Sequence, residues 1–367
     1  MTILRRYGET DFVSGLRAVA AIMVMMIHTG GFRDLGWLGA NMTKVGGYGV
    51  QMFFVISGFS IAISYASSPS YTTYLIRRLA RILPLYFAVI LLALALMGSG
   101  LIEINRWAAY FGVPIDTYNI VMHFTLLSIL DYRVANAIIG VEWSIPIEVF
   151  WYLVLPLFLH RIWGIKNALI FMTALILLAF ATKIALDQLG SFRAARWFPT
   201  SYGPYFLMGV LCAAWRDKMG YWSGAVFWAG VALLWFALLA GLPYMRPVIG
   251  LATMLIILGY RGSGILTSKP LLYLGTISYS VYLLHVIVIQ LLDLPDAWGK
   301  HWVLLVVLMV SVIASTVTYL AIEQPGMRIG AMLVKTNASR AANSEPVSVS
   351  RSISLQKNTF VKGRGPG

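Results

Sequence analysis

Ten apolar stretches, each near the length that crosses a bilayer, recur along this chain. They fall at about 12–31, 47–66, 82–101, 146–162, 168–186, 202–215, 222–241, 245–260, 271–292 and 302–322. Inside hydrocarbon no water satisfies a backbone N–H or C=O, so such segments are restricted to helices or closed barrels. Runs of this length without period-two alternation select the helix. The expected fold is therefore all-α, a polytopic membrane helical bundle of about ten transmembrane helices. Composition agrees: 59% of residues are hydrophobic and 11% charged, against about a quarter charged in soluble domains. The stretches at 202–215 and 245–260 are short for a span, and Ile120 to Leu130 is too short, which suits a re-entrant or interfacial piece.

No polar linker separates the apolar stretches and no internal repeat is visible, so one membrane domain is expected over residues 1–335. Residues 336–367 are Ser-rich, basic and poor in large apolar side chains, the composition of a disordered tail. The single cysteine, Cys212, excludes an internal disulfide. A net charge of +14 on a membrane protein speaks first of topology and anionic lipid, and nucleic acid is not an expected partner. Arg5 and Arg6 before an apolar run imitate a signal peptide. Asp11 and Arg17 interrupt that run and no convincing cleavage site follows, so the segment is expected to be retained. Basic residues such as Arg77, Arg78, Arg81, Arg216, Lys218 and Arg261 cluster on one side of the proposed spans, placing both termini in the cytoplasm.

Charge inside the apolar stretches points to chemistry. Arg17 and His28 stand eleven positions apart in the first stretch, on one helix face and separated by roughly 16 Å. An arginine in a membrane segment is costly and faces a partner or a wet cavity. His28 alone is as readily a ring satisfied by a nearby carbonyl; with Arg17 on the same face, function is the better reading. Arg78 and Arg81 lie three apart, with Arg77 beside them and Pro84 following, which suits the first turn of a helix. Guanidinium forks at a helix start fit phosphate, against the plain alternative of anchoring on the inner side.

Glu148 follows Ser144 by four positions, one too many for a capping box, and so has no routine reason to sit inside a spanning helix. Both His28 and Glu148 fall toward the outer ends of their helices, where a carboxylate would orient an imidazole. Ser57-Gly58 offers a small patch for close helix approach. Ser278, Tyr282 and His285 recur at spacings of four and three, making one polar helix face whose first explanation is interhelical hydrogen bonding. Glu323, at the end of the last stretch, opposes the helix dipole and calls for a cation. His123, His160 and His301 read as interfacial.

In this order these stretches resemble the acyltransferase 3 family of bacterial integral membrane O-acyltransferases, which includes O-antigen and exopolysaccharide acetyltransferases. The resemblance covers about residues 10–330. It rests on Arg17 and His28, the run Gly49 to Phe59, Arg78 and Arg81, Trp143-Ser144 with Glu148, and the helix Ser278 to His285. Where many members have Asp-Gly-Leu-Arg, this chain has Ser14-Gly15-Leu16-Arg17, and the extra extracytoplasmic domain of larger relatives has no room here.

The resemblance implies transfer of an acyl group, usually acetyl from acetyl-CoA, to a hydroxyl of a cell-surface polysaccharide or lipid-linked sugar at the bacterial inner membrane. Arg77, Arg78 and Arg81 would bind the CoA phosphates. His28 would act as base or as an acyl-accepting nucleophile, with Arg17 and Glu148 in the catalytic group. Ser57, Ser278, Tyr282, His285 and Glu323 would support them. No metal is expected. A secondary transporter or glycolipid flippase is the rival reading; it would more often show inverted repeats and broken helices in matching halves.

Overall fold

The structure is a computed structural model describing residues 10–162, 164–188, 194–242, 244–262, 264–295 and 297–344. Arg5, Arg6 and the end of the expected tail, 345–367, lie outside the described residues. The α-helices in chain order are α1 (Phe12–Thr29), α2 (Gly36–Gly46), α3 (Gly49–Ala66), α4 (Tyr71–Gly98), α5 (Arg106–Phe111), α6 (Thr117–Phe124), α7 (Ser144–Val154) and α8 (Leu159–Ile162). They continue with α9 (Ile165–Gln188), α10 (Gly203–Trp215), α11 (Ser223–Ala240), α12 (Arg246–Gly259), α13 (Lys269–Thr276), α14 (Ser278–Leu292), α15 (Lys300–Thr318) and α16 (Gln324–Ser344). No strand occurs among the described residues. The protein is an all-α membrane bundle.

The number of spans differs from the ten expected. Among the described residues, six helical runs are long and apolar enough to cross a membrane, or seven if α13 and α14, bent by 73°, form one broken span. The difference has physical causes. The stretches near 146–162 and 245–260 are short apolar helices, Ser144–Leu157 and Arg246–Gly259. The helices α10 and α11 share one apolar run, broken where Gly220 takes φ 46°. The piece around Ile120 to Leu130 forms α6 and a single 3-10 turn, Ser128–Leu130, neither long enough to span.

The bundle packs around α1 and α3, most of whose side chains are buried. Close approach depends on missing side chains. A Cβ at Gly58 would lie 1.9 Å from the Phe206 carbonyl oxygen, and one at Gly209 2.0 Å from that of Val55. The backbones of α3 and α10 therefore touch at the small patch beside Ser57, as small residues in membrane helices permit. Toward its other end α1 terminates at Gly30, whose left-handed φ of 81° suits glycine.

One expectation about α4 is corrected. Pro84 does not begin a helix: α4 starts at Tyr71, capped by Ser70, whose hydroxyl oxygen accepts the Thr73 N–H at 3.1 Å. Pro84 lies in the helix interior. Arg78 and Arg81 are therefore held in mid-helix, away from the free N–H groups of a helix start. At the far end, α16 continues past residue 335 and makes 336–344 helical.

Candidate active site

The arginines gather around Arg17 near the start of α1, and His28 meets His285 near its other end. Around Arg17 lies a cavity, partly open to solvent, of about 640 Å³ including that open space. Its polar lining comes from Arg17 of α1, Ser57 of α3, Arg78 and Arg81 of α4, and Glu148 and Tyr152 of α7, with Tyr279 and Tyr282 of α14. Arg17 donates to the Ser60 hydroxyl at 2.7 Å, and Arg78 donates to the Ser60 carbonyl. One residue of α3 thus ties two guanidinium groups together. Tyr74 and Tyr152 lie 5.9 Å and 5.3 Å from the Arg78 guanidinium carbon, in cation–π range.

Glu148 accepts hydrogen bonds from Ser57 and, at 2.5 Å, from the Tyr152 hydroxyl. It forms no salt bridge with Arg17, Arg78 or Arg81 among the described residues. Three guanidinium groups and one carboxylate therefore leave the cavity with an excess of positive charge. Arg78 is 8% exposed, and its Nε is buried without a hydrogen-bond partner among the described residues. An unused donor in a cationic cavity is what an anion with several oxygen atoms would satisfy.

The other end of α1 carries a histidine pair. His28 Nδ1 lies 2.9 Å from the Val24 carbonyl and 3.0 Å from His285 Nε2. His285 Nδ1 faces only carbonyls, those of Tyr282 at 2.8 Å and Val281 at 3.2 Å. Carbonyls accept, so the His285 proton belongs on Nδ1 and its Nε2 is an acceptor. His28 must then carry its proton on Nδ1, which leaves Nε2 of this exposed ring with a free lone pair. A base of this form, held in one tautomer, can remove a proton from a hydroxyl.

Tyr282 connects the two ends. Its ring meets Phe53 edge-on at 5.7 Å, its hydroxyl reaches the Val141 carbonyl at 2.8 Å, and Ser144 donates to it at 2.8 Å. Its main-chain carbonyl is the acceptor that fixes His285.

Several expectations change. Glu148 does not hydrogen-bond to His28; it bonds Ser57 and Tyr152 in the arginine cavity, and the ring partner of His28 is His285. Arg17 likewise joins the arginines instead of the imidazole. Arg77 is exposed and absent from the cavity lining, because neighbours along a helix point about 100° apart. Ser278 lines the cavity but its hydroxyl is directed to the Gly275 carbonyl at 2.8 Å. Glu323 is buried in a π-helical turn, Tyr319–Glu323, and accepts from Ser280; Arg81 acts on it electrostatically without a salt bridge among the described residues.

Some neighbours were missed. Tyr152 follows Glu148 by one helical turn, and Ser60 follows Ser57 by three positions, so helical spacing could have found both. His123 is fully buried within the protein, 3.4 Å from a buried Glu142. Its signal was an acidic residue in a stretch otherwise free of charge from 134 to 147. His301 pairs with Asp34 at 3.0 Å, and His160 is exposed.

The chain is similar to known proteins along most of its length. The chain is 27% identical over 374 residues to nodulation protein 10 of Rhizobium leguminosarum bv. viciae, covering 91% of this chain and 98% of that protein. It is 26% identical over 366 residues to acyltransferase MdmB of Streptomyces mycarofaciens, covering 86% and 91% respectively. No solved structure matches the chain. A family model described as an acyltransferase domain matches residues 10–320, and this chain, an O-acyltransferase embedded in the membrane, belongs to the acyltransferase 3 family.

Proposed function

We propose that the protein moves an acyl group, in the first instance acetyl, from acyl-CoA to a hydroxyl of a cell-surface polysaccharide or lipid-linked sugar. The observation that carries this reading is the division of labour along α1. A cavity rich in arginine surrounds Arg17, and an imidazole with a free Nε2 stands eleven residues further along the helix. The unused Arg78 Nε and the forks of Arg17 and Arg81 suit the phosphates of CoA. The pantetheine arm then runs past Tyr282 toward the histidine pair.

His28 Nε2 takes the proton of the acceptor hydroxyl as its oxygen attacks the thioester carbonyl. A C–O bond forms, the C–S bond breaks, and the imidazolium returns the proton to the departing thiolate. A transient acyl group on His28 is the second route the same ring permits. Basic residues favour an inner-membrane orientation with both termini and the arginine cavity on the cytoplasmic side, and with His28 toward the outside. The test is transfer by purified protein in lipid nanodiscs. Release of CoA thiol that depends on an acceptor hydroxyl supports the reading, and its absence with every acyl-CoA and glycan tried contradicts it.

A further inference from the structure

A second carboxylate lies just before α7, outside the arginine cavity. Glu142 is fully buried, and four successive backbone N–H groups donate to it. Ile138 and Ile139 reach Oε1 at 2.7 and 3.1 Å, and Gly140 and Val141 reach Oε2 at 2.6 and 2.9 Å. Bonds to an ionised acceptor are the strong kind, so the loop 138–141 is wound onto its own side chain. His123 closes the far side, with Nε2 3.4 Å from Oε1 and Nδ1 2.9 Å from the Asn119 carbonyl. Gly140 is the residue that allows the winding. Its φ is +108°, and a Cβ there would lie 2.4 Å from the Asn105 amide nitrogen.

The loop held in this way ends in a functional carbonyl. Val141 C=O accepts the Tyr282 hydroxyl at 2.8 Å, and Ser144, which donates to that same hydroxyl, opens the next helix. Both Ser144 and Tyr282 line the cavity. We infer that Glu142 is a positioning residue for acyl transfer: by winding the loop 138–141 it fixes the Val141 carbonyl, and through it Tyr282, which lines the arginine cavity and whose own carbonyl holds His285. This rests on the acyl-transfer reading above. A carboxylate placed only to stabilise the fold would not need its loop to end on a residue of the cavity wall.

The experiment uses the full chain in nanodiscs with acetyl-CoA and the variants Glu142→Gln, Glu142→Asp, Tyr282→Phe and the double variant Glu142→Gln/Tyr282→Phe. Glu142→Gln should slow turnover roughly ten- to a hundredfold, the scale of a small misplacement in a reacting geometry. The donor KM should stay within about twofold, since the arginines are untouched. Because both residues act through one contact, the double variant should be no slower than the slower single variant. Amide exchange at 138–141 should quicken in Glu142→Gln, and Glu142→Asp should fall between it and wild type in both measurements.

Wild-type turnover in folded Glu142→Gln, or losses that multiply in the double variant, would overturn the inference. If Glu142→Gln does not fold, Glu142→Asp decides: slower turnover at unchanged donor KM supports the role, and full activity removes it. Wild-type protein that transfers no acyl group counts against the reading of function instead. In that case unchanged amide exchange at 138–141 in the Glu142 variants would still overturn the winding of the loop.

Discussion

His285 Nε2 accepts from His28 Nδ1 at 3.0 Å across 257 positions of sequence. The contact determines which nitrogen of His28 is a base. With Nδ1 shared between His285 and the Val24 carbonyl, the ring is pinned and Nε2 keeps its lone pair.

Replacing His285 with alanine should therefore cost orientation and spare the donor site. Turnover should fall about tenfold to a hundredfold, with the donor KM unchanged. Steady-state kinetics with varied acyl-CoA checks this. Wild-type turnover in His285→Ala would show that Val24 alone holds the ring.

The arginine cavity makes a separable prediction. Arg78→Ala and Arg81→Ala should each weaken CoA binding by about 1.5–3 kcal/mol, the worth of a bond to a charged group. That is roughly tenfold to a hundredfold in Kd. Lysine should restore only part, lacking the planar fork. Arg77→Ala should leave affinity near wild type, because its side chain is exposed and outside the cavity. Calorimetric titration with CoA and with CoA lacking its 3′-phosphate reads all three. Equal affinity in every variant would remove the donor from this cavity.

A pH effect is expected beside His28. Asp34, in the loop after α1, accepts from the Lys300 N–H at 2.8 Å and from His301 at 3.0 Å, tying the loop to α15. Desolvation raises the Asp34 pKa. The bonds it accepts from its own backbone, from His301 and from Lys300 outweigh that and hold it below its ordinary 3.8. A carboxyl depressed on folding stabilises above its unfolded pKa and loses that contribution as pH falls through the folded value. The Lys300 amide should thus stay protected at neutral pH and lose protection only below about 3.8. Amide exchange in Asp34→Asn should match the acid behaviour at every pH; identical protection in wild type and variant would discard the tether.

Sidedness decides which acceptor the enzyme meets. In a Cys212→Ser background, Arg33→Cys, in the loop after His28, should react with an impermeant maleimide added to intact spheroplasts. Thr72→Cys, at the start of α4, should react only once the membrane is opened. Reaction of both only after opening would place the acceptor in the cytoplasm.

Much of this was legible in the sequence, for reasons that particular residues show. Arg17 and His28 share a face because helical periodicity is local, and Ser57-Gly58 marked a close approach that α10 fills. Pairings between distant segments were not legible. Ser57 meets Glu148 across 91 positions, and periodicity says which way a side chain faces but not what stands opposite. Position along the helix suggests that Glu148 shares the depth of His28, whereas the fold sets it among Arg17, Arg78 and Arg81. Pro84 misled because proline fits both a first turn and a kinked interior, and Ser70 supplied the real cap. The winding of the loop 138–141 onto Glu142 has no periodic signature, so only tertiary structure reveals it.

The most direct measurement is acyl transfer and CoA binding by His28→Ala, made on the same nanodisc preparation as the wild type. The variant should bind CoA as the wild type does, since the arginine cavity is intact. Its transfer rate should drop roughly 100- to 10,000-fold, the scale of a lost general base. Transfer near the wild-type rate at equal donor affinity would contradict the assignment of His28 as the reacting group.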